Sequence, residues 1–406
     1  MNRIATAVAI GAMMRLPLTE PMSFDTVAQA DVDRAPIDPA SAAFSGDGRY
    51  VAFISSVQLA PADRNHHGDV YVLDRTDGRV TLESQSLDGA VPQSDSQHPS
   101  LSADGRWVTY SVSNNVVLRD RLRGEMKVLS DGRDPSISAD SRFVVFTSKA
   151  PDVLKEDVYL FDREAGFIRR ISVDSTGARP PSGWSGTPSI SGDGRLIAFA
   201  STASLRPATG NPAVRVYVRD TLANTTNSVA PGWRPAISAN GRYVAFASAA
   251  VNLVPNDRNN LPDVFLADLR NGSIELVSRG TKGGSANGAS TNPAVSGDGR
   301  FVAFQSEASD MVCASGCPRS LEDINLLWDV FLFDRESRTM ARLSSDPLLA
   351  WLEESNGAAI DARGSVVAFS SRHPINANDN AHDLDLFIRP LAAAESRTSL
   401  PSGEAP

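Results

Sequence analysis

The sequence predicts an all-β protein: a seven-bladed β-propeller of four-stranded antiparallel blades, closed by an N-terminal strand. Three observations predict it. One nonapeptide recurs seven times along the 406 residues, strand-like segments keep one order within each copy, and the last copy lacks a strand that the N-terminus can supply.

The nonapeptide stands first as "SGDGRYVAF" at 45–53. It returns as "SADGRWVTY" (102–110), "SADSRFVVF" (138–146), "SGDGRLIAF" (191–199), "SANGRYVAF" (238–246), "SGDGRFVAF" (296–304) and "DARGSVVAF" (361–369). The closing aromatics, Phe53, Tyr110, Phe146, Phe199, Phe246, Phe304 and Phe369, lie 57, 36, 53, 47, 58 and 65 residues apart. A phrase held at such intervals, with connections of varying length between copies, marks a propeller or a solenoid.

Within a copy, a short alternating segment such as "HPSLS" (98–102) leads into an Asp-Gly turn and an apolar strand, "RWVTYSV". Asp-Gly between apolar runs is a hairpin signal, because glycine accepts the positive φ of the turn. A third strand follows as "DVYVLD" (69–74), "DVYLFD" (157–162), "VRVYVRD" (214–220), "DVFLAD" (263–268) or "DVFLFD" (329–334), then a second turn and a fourth strand such as "RVTLES" or "IELVS". Four antiparallel strands per repeat make a propeller blade. Consecutive apolar residues, Tyr50 to Phe53 for example, fit a sheet covered on both faces by neighbouring blades.

The seventh copy has only a weak fourth strand, "ESRTSL", while "MSFDTVAQADVDRAP" (22–36) resembles the fourth strand and exit loop "IRRISVDSTGARPP" (168–181). Residues 22–28 are therefore expected to complete blade 7 and remove two open sheet edges. The expected organisation is an N-terminal segment over 1–21, a propeller over 22–392 and a tail over 393–406.

A hydrophobic content of 41% with 21% charged residues is that of a folded soluble protein, and the net charge of −9 argues against a nucleic-acid surface. No segment is long enough to span a membrane as an apolar helix. Arg3 followed by apolar Ile4 to Met14 reads either as a secretory signal, which would place the protein in the periplasm or outside the cell, or as an ordinary tail of a cytoplasmic protein. Cys313 and Cys317, spaced C-x3-C, fit a small local disulfide better than a zinc site, which needs four ligands.

The segments "PSISGDGRLIAF" (188–199) and "DVYLFD" (157–162) resemble the WD-like propeller repeat of TolB-like proteins, over about residues 22 to 390. The resemblance implies a propeller fold and an envelope protein that binds partner proteins. TolB's separate N-terminal α/β domain has no counterpart in the residues ahead of the first strand, and seven copies stand where TolB has six blades.

Function on such scaffolds sits on the long, variable loops, here those joining second to third strands and one blade to the next. His98, Trp184, Trp233, Arg234 and Trp351 are expected in the loops just before an innermost strand, where aromatics and arginine would make binding anchors at the channel mouth. The tryptophans would equally fill gaps between blades. The spacing D-x-N-x3-D recurs at Asp63, Asn65 and Asp69, at Asp257, Asn259 and Asp263, and at Asp323, Asn325 and Asp329, with a partial copy at Asp379 and Asp385. It matches the start of a calcium loop but lacks that loop's glycine and final glutamate, so turn closure by Asp and Asn is the preferred reading and no cofactor is assigned.

No catalytic residue is assigned. "GWSGT" breaks the G-x-S-x-G elbow at Thr187, no H-E-x-x-H is present, and the five histidines are dispersed. The expected function is a non-catalytic binding or scaffold propeller acting through its long-loop face, with a protein partner ahead of a glycan. The alternative is a metal-dependent carbohydrate-active enzyme of the lyase kind, with His98 at the mouth.

Overall fold

A computed structural model describes residues 20–21, 42–85, 90–149, 155–205, 214–312, 327–344, 355–371 and 385–391. These residues form seven four-stranded antiparallel sheets and no helix. In blades 1 to 6 the spatial order is the sequence order; blade 1 runs Ala43–Phe44, Tyr50–Ser55, Asp69–Asp74 and Arg79–Leu82. The innermost strands touch in succession around the ring, and that of blade 7, Ser355–Ile360, meets that of blade 1.

Blade 7 is completed from the N-terminal side, as predicted, by pairing with Asp385–Pro390. The pairing observed is that of Glu20–Pro21, with Glu20 opposite Ile388 and Pro21 opposite Phe387. Residues 22–28, expected to supply this strand, lie outside the described residues.

The repeated phrase is a complete local device. In blade 1 the Ser45 hydroxyl donates to Asp47 at 2.7 Å and accepts from the Tyr50 amide, while Asp47 accepts the Arg49 amide. The Arg49 guanidinium then grips Asp74 at the end of the third strand at 2.6 Å. The same pairs recur as Arg106–Asp120, Arg142–Asp162, Arg195–Asp220, Arg242–Asp268 and Arg300–Asp334. Blade 7, with Ser365 in place of the arginine, has Asp361 accept the Ser365 and Val366 amides instead.

Both faces of each sheet are covered. Seven apolar clusters each join two adjacent blades; Val51, Phe53, Tyr71 and Leu73 of blade 1 pack with Val366, Ala368 and Ile388 of blade 7. In six blades the closing aromatic stacks on an aromatic of the third strand, Phe304 on Phe331 at 5.9 Å for instance.

Among the described residues, one end of the ring carries only tight turns. The other carries the long loops, with exceptions the sequence reading did not anticipate. Ser113–Asn114 alone joins the second and third strands of blade 2, and single glycines, Gly132 and Gly232, join blades 2 to 3 and 4 to 5.

Candidate functional site

The innermost strands are bulged in the same place in every blade from 2 to 7. Their register slips between Gln97 and Ser100, Arg133 and Ser136, Gly186 and Ser189, Trp233 and Ala236, Thr291 and Ala294, and Asn356 and Ala359. The residue at each slip has positive φ: His98 (52°), Asp134 (53°), Thr187 (49°), Arg234 (49°), Asn292 (51°) and Gly357 (63°). In the first five a buried proline follows, Pro99, Pro135, Pro188, Pro235 and Pro293. Proline disfavours the right-handed helical region for the residue before it and has no N–H to lose in a bulge.

This places five polar side chains on one ring at the inner rim, close to the long-loop end where each innermost strand begins. His98 and Asp134 meet across blades 2 and 3, Nδ1 to Oδ1 at 3.4 Å. Asp134 also pairs with Arg133 at 2.8 Å, and Arg133 with Glu156 at 2.7 Å, a hydrogen bond that raises the guanidinium's pKa. Thr187 Oγ1 and Asn292 Oδ1 are buried with no hydrogen-bond partner among the described residues. Arg234 is exposed. A β-branched residue at positive φ, as at Thr187, is a conformational outlier, and strain of this kind gathers at functional sites.

Of the residues expected at the mouth, His98, Trp233 and Arg234 lie within innermost strands rather than in the loops before them. Trp184 immediately precedes one, anchored by its carbonyl to the Thr202 amide at 3.0 Å and the Ser201 hydroxyl at 2.8 Å. Trp184 and Trp233 are half-buried. Trp351 and the Cys313–Cys317 pair fall outside the described residues, as do Asp323, Asn325 and Asp379. Asp134, Thr187 and Asn292 were missed, although a polar residue before proline three positions ahead of each Ser, "HPSLS", "DPSIS", "TPSIS", "RPAIS", "NPAVS", was there to be read.

In the first two D-x-N-x3-D loops, side-chain oxygens accept nearby backbone amides. Asp63 accepts the Asn65 amide, Asn65 accepts the His67 amide, and Asn259 accepts the Leu261 amide. Among the described residues no group of three or more His, Cys, Asp or Glu is placed to hold a metal together, and no helix is long and apolar enough to cross a membrane.

No protein-family model and no curated protein matches the chain. Solved structures define its class, the β-propellers. The propeller domain of the Trilobed protease from Pyrococcus furiosus aligns with a TM-score of 0.55 at 10% identity, over 89% of this chain and 98% of that one. Acylaminoacyl peptidase from Pyrococcus horikoshii gives 0.53 at 11%, over 87% of this chain but 52% of that one. TolB from Acinetobacter baumannii gives 0.45 at 15%, over 74% of this chain and 65% of its own. The chain thus spans less than two thirds of that TolB and about half of the peptidase. At these identities the fold is what is shared, a β-propeller.

Proposed function

We propose that the chain is a non-catalytic binding or scaffold propeller of the cell envelope or secreted fraction, which receives a protein partner at the bulged mouth. The observation that carries this reading is the ring of positive-φ side chains, His98, Asp134, Thr187, Arg234 and Asn292, repeated at one register position in consecutive blades. A strained conformation kept five times by polar side chains costs stability each time. Thr187 Oγ1 and Asn292 Oδ1 are buried without a hydrogen-bond partner among the described residues, a further cost held at this ring. Trp184 and Trp233 beside them supply apolar contact area of the kind that anchors interfaces.

The test is photo-crosslinking with a benzophenone side chain at position 234 and, as control, at Asn271 in a tight turn on the opposite end. In an envelope extract, position 234 should capture a protein that position 271 does not, and Trp184→Ala with Trp233→Ala should abolish the adduct while the ring stays folded. Equal adducts from both ends would refute the reading. Selective retention on a glycan surface, with no protein captured, would replace the protein partner by a sugar.

A further inference from the structure

The long-loop end is walled unevenly. Every blade but the second has a connection of thirteen residues or more at this end, such as 56–68, 171–184 and 249–262. Blade 2 has only Ser113–Asn114 between its second and third strands, and Gly132 between its last strand and blade 3. Both connections are held down. Ser113 and Asn114 have φ of 50° and 60°, the conformation of a two-residue hairpin turn, and the Ser113 hydroxyl meets that of Ser94 at 2.6 Å. The Gly132 amide donates to the Asn114 carbonyl at 2.6 Å, and an ideal β-carbon at Gly132 would strike the Thr147 carbonyl oxygen. Glycine alone fits so close a link. The result is a fixed sill, one blade wide, leading from the outside of the ring to the inner rim at His98 and Asp134.

The surface of the sill is polar. Gln97, Ser113, Asn114 and Arg133 are exposed, and none of the exposed large apolar side chains among the described residues lies on it. Its charges are paired with one another along the rim: Glu156 with Arg133 at 2.7 Å, Arg133 with Asp134 at 2.8 Å, and Asp134 with His98 at 3.4 Å. A row satisfied in this way does not select a ligand by one sign of charge. What it offers is hydrogen bonding of both kinds, because the Gln97 and Asn114 side-chain amides each carry donors and an acceptor. An extended polypeptide has the matching property, a donor and an acceptor in nearly every residue along a narrow chain. A sugar chain fits less well, since the sill has no aromatic face on which a ring could stack.

We propose that the mouth receives its partner from the side, as an extended polypeptide segment laid over the sill of blade 2 with its main chain against Gln97, Asn114 and Arg133. This rests on the reading of the mouth as the binding end and adds the route and the form of the partner. A partner arriving along the ring axis meets the long connections of the other six blades; a single extended chain crossing blade 2 meets only a two-residue turn and one glycine. Because the sill is already bonded to itself through Ser94, Ser113, Asn114 and Gly132, no loop has to order when the segment arrives, which lowers the entropic cost of binding.

A phage-displayed library of random peptides is selected on the full wild-type chain, and the peptides recovered are titrated by fluorescence anisotropy against three variants. In the first, residues 113–114 are replaced by residues 56–68, which join the same two strands in blade 1 and so raise the sill. In the second, Gln97→Ala with Arg133→Ala removes the side-chain donors and leaves the backbone alone, so the test does not hang on the graft folding. In the control, residues 56–68 are inserted between Asn271 and Gly272 at the opposite end. The raised sill and the double substitution should each weaken binding by about tenfold or more, and the control insertion should not. Peptides bound equally by wild type and the double substitution, or no peptide recovered while a glycan array is bound, overturn the proposal. Photo-capture at position 234 separates it from the reading on which it rests. A folded protein captured equally with and without the raised sill leaves the mouth as the binding end and removes the lateral route, whereas no capture by the unaltered chain removes both.

Discussion

The glycines of the repeated turns allow blade packing to be weighed against backbone strain. Gly299 and Gly272 both have positive φ, 76° and 73°. An ideal β-carbon at Gly299 would sit 2.6 Å from Tyr243 Cγ in the preceding blade, whereas at Gly272 it would meet nothing within 4 Å. Alanine in the left-handed region costs about 1–2 kcal/mol, partly offset by the smaller entropy that alanine loses on folding. Gly272→Ala should therefore cost about 1 kcal/mol. Gly299→Ala adds an overpacking term of about 1–3 kcal/mol. It also displaces a ring capped by Arg242 at 4.9 Å and Arg335 at 4.6 Å, contacts worth about 0.5–1 kcal/mol each. The expected total is about 3–6 kcal/mol. Gly241→Ala, with φ of 70° and Leu196 Cδ1 at 3.1 Å, should fall between them, since a flexible leucine yields more readily than a clamped ring. Chemical denaturation of the three variants, read by tryptophan fluorescence, should rank Gly299, Gly241, Gly272 from most to least destabilised. Equal midpoints for Gly299→Ala and Gly272→Ala would mean that the turn glycines answer to φ alone, and the packing argument would fail.

Other perturbations follow from the same architecture. Phe304→Ala removes a fully buried ring stacked on Phe331 and should destabilise by about 3–5 kcal/mol in denaturant titration; a loss below about 1 kcal/mol would contradict rigid packing between blades 5 and 6. Hydrogen bonds from their arginines hold Asp74, Asp120, Asp162, Asp220 and Asp268 below the usual carboxylate range. Their contribution is complete above the unfolded pKa of about 3.9 and is lost as pH falls through the lower folded values. Melting temperature should thus drop steeply below about pH 4, and Asp120→Asn should make that limb shallower; an unchanged limb would assign acid denaturation to other groups. Deleting residues 1–21 exposes the edge of Asp385–Pro390 and should lower the melting temperature and promote association in light scattering, whereas an unaltered monomeric melt would show that Glu20–Pro21 adds nothing to closure. Thr187→Gly relieves a β-branched residue at positive φ, so stability should hold or rise by up to about 1 kcal/mol while partner capture at position 234 weakens; a clear loss of stability would make Thr187 a structural residue.

The blades were legible because each depends on local chemistry repeated in the chain. Ser45, Asp47, Gly48, Arg49 and the apolar run behind them encode a turn, its cap and a covered strand within nine residues. The bulges were not legible, because "DPS" or "NPA" looks like ordinary extended chain before proline, and the sign of φ is set by pairing with the second strand. The same limit hid the short links at Gly132 and Gly232, where length depends on how far the outer strand runs, Glu125–Asp131 and Thr225–Pro231 being seven residues each. His98, Trp233 and Arg234 were recognised singly from their residue types. Their shared geometry with Asp134, Thr187 and Asn292 required the ring.

The division of the molecule into a uniform end and a varied end has a physical origin in the repeat. The nonapeptide satisfies every demand of the tight-turn end by itself: the serine and aspartate cap the turn, the arginine binds the third strand, and the glycine accepts the neighbouring blade's ring. With that end and the seven inter-blade cores holding each sheet, the side chain at the bulge of each innermost strand is left room to vary. Strain there is tolerated because the cores over-determine the fold, and the residue at the bulge can be His, Asp, Thr, Arg, Asn or Gly without altering the blade. A position held fixed in backbone while its side chain varies in charge and size is the arrangement expected of a recognition surface. Because the six bulges share one backbone geometry, exchanging side chains between them, Arg234→Asn with Asn292→Arg for example, should keep the fold, at a cost set by the partly buried site at 292, while moving the positive charge around the rim. Partner binding should then change with the pattern of charge, since net charge and composition are the same in the exchanged protein.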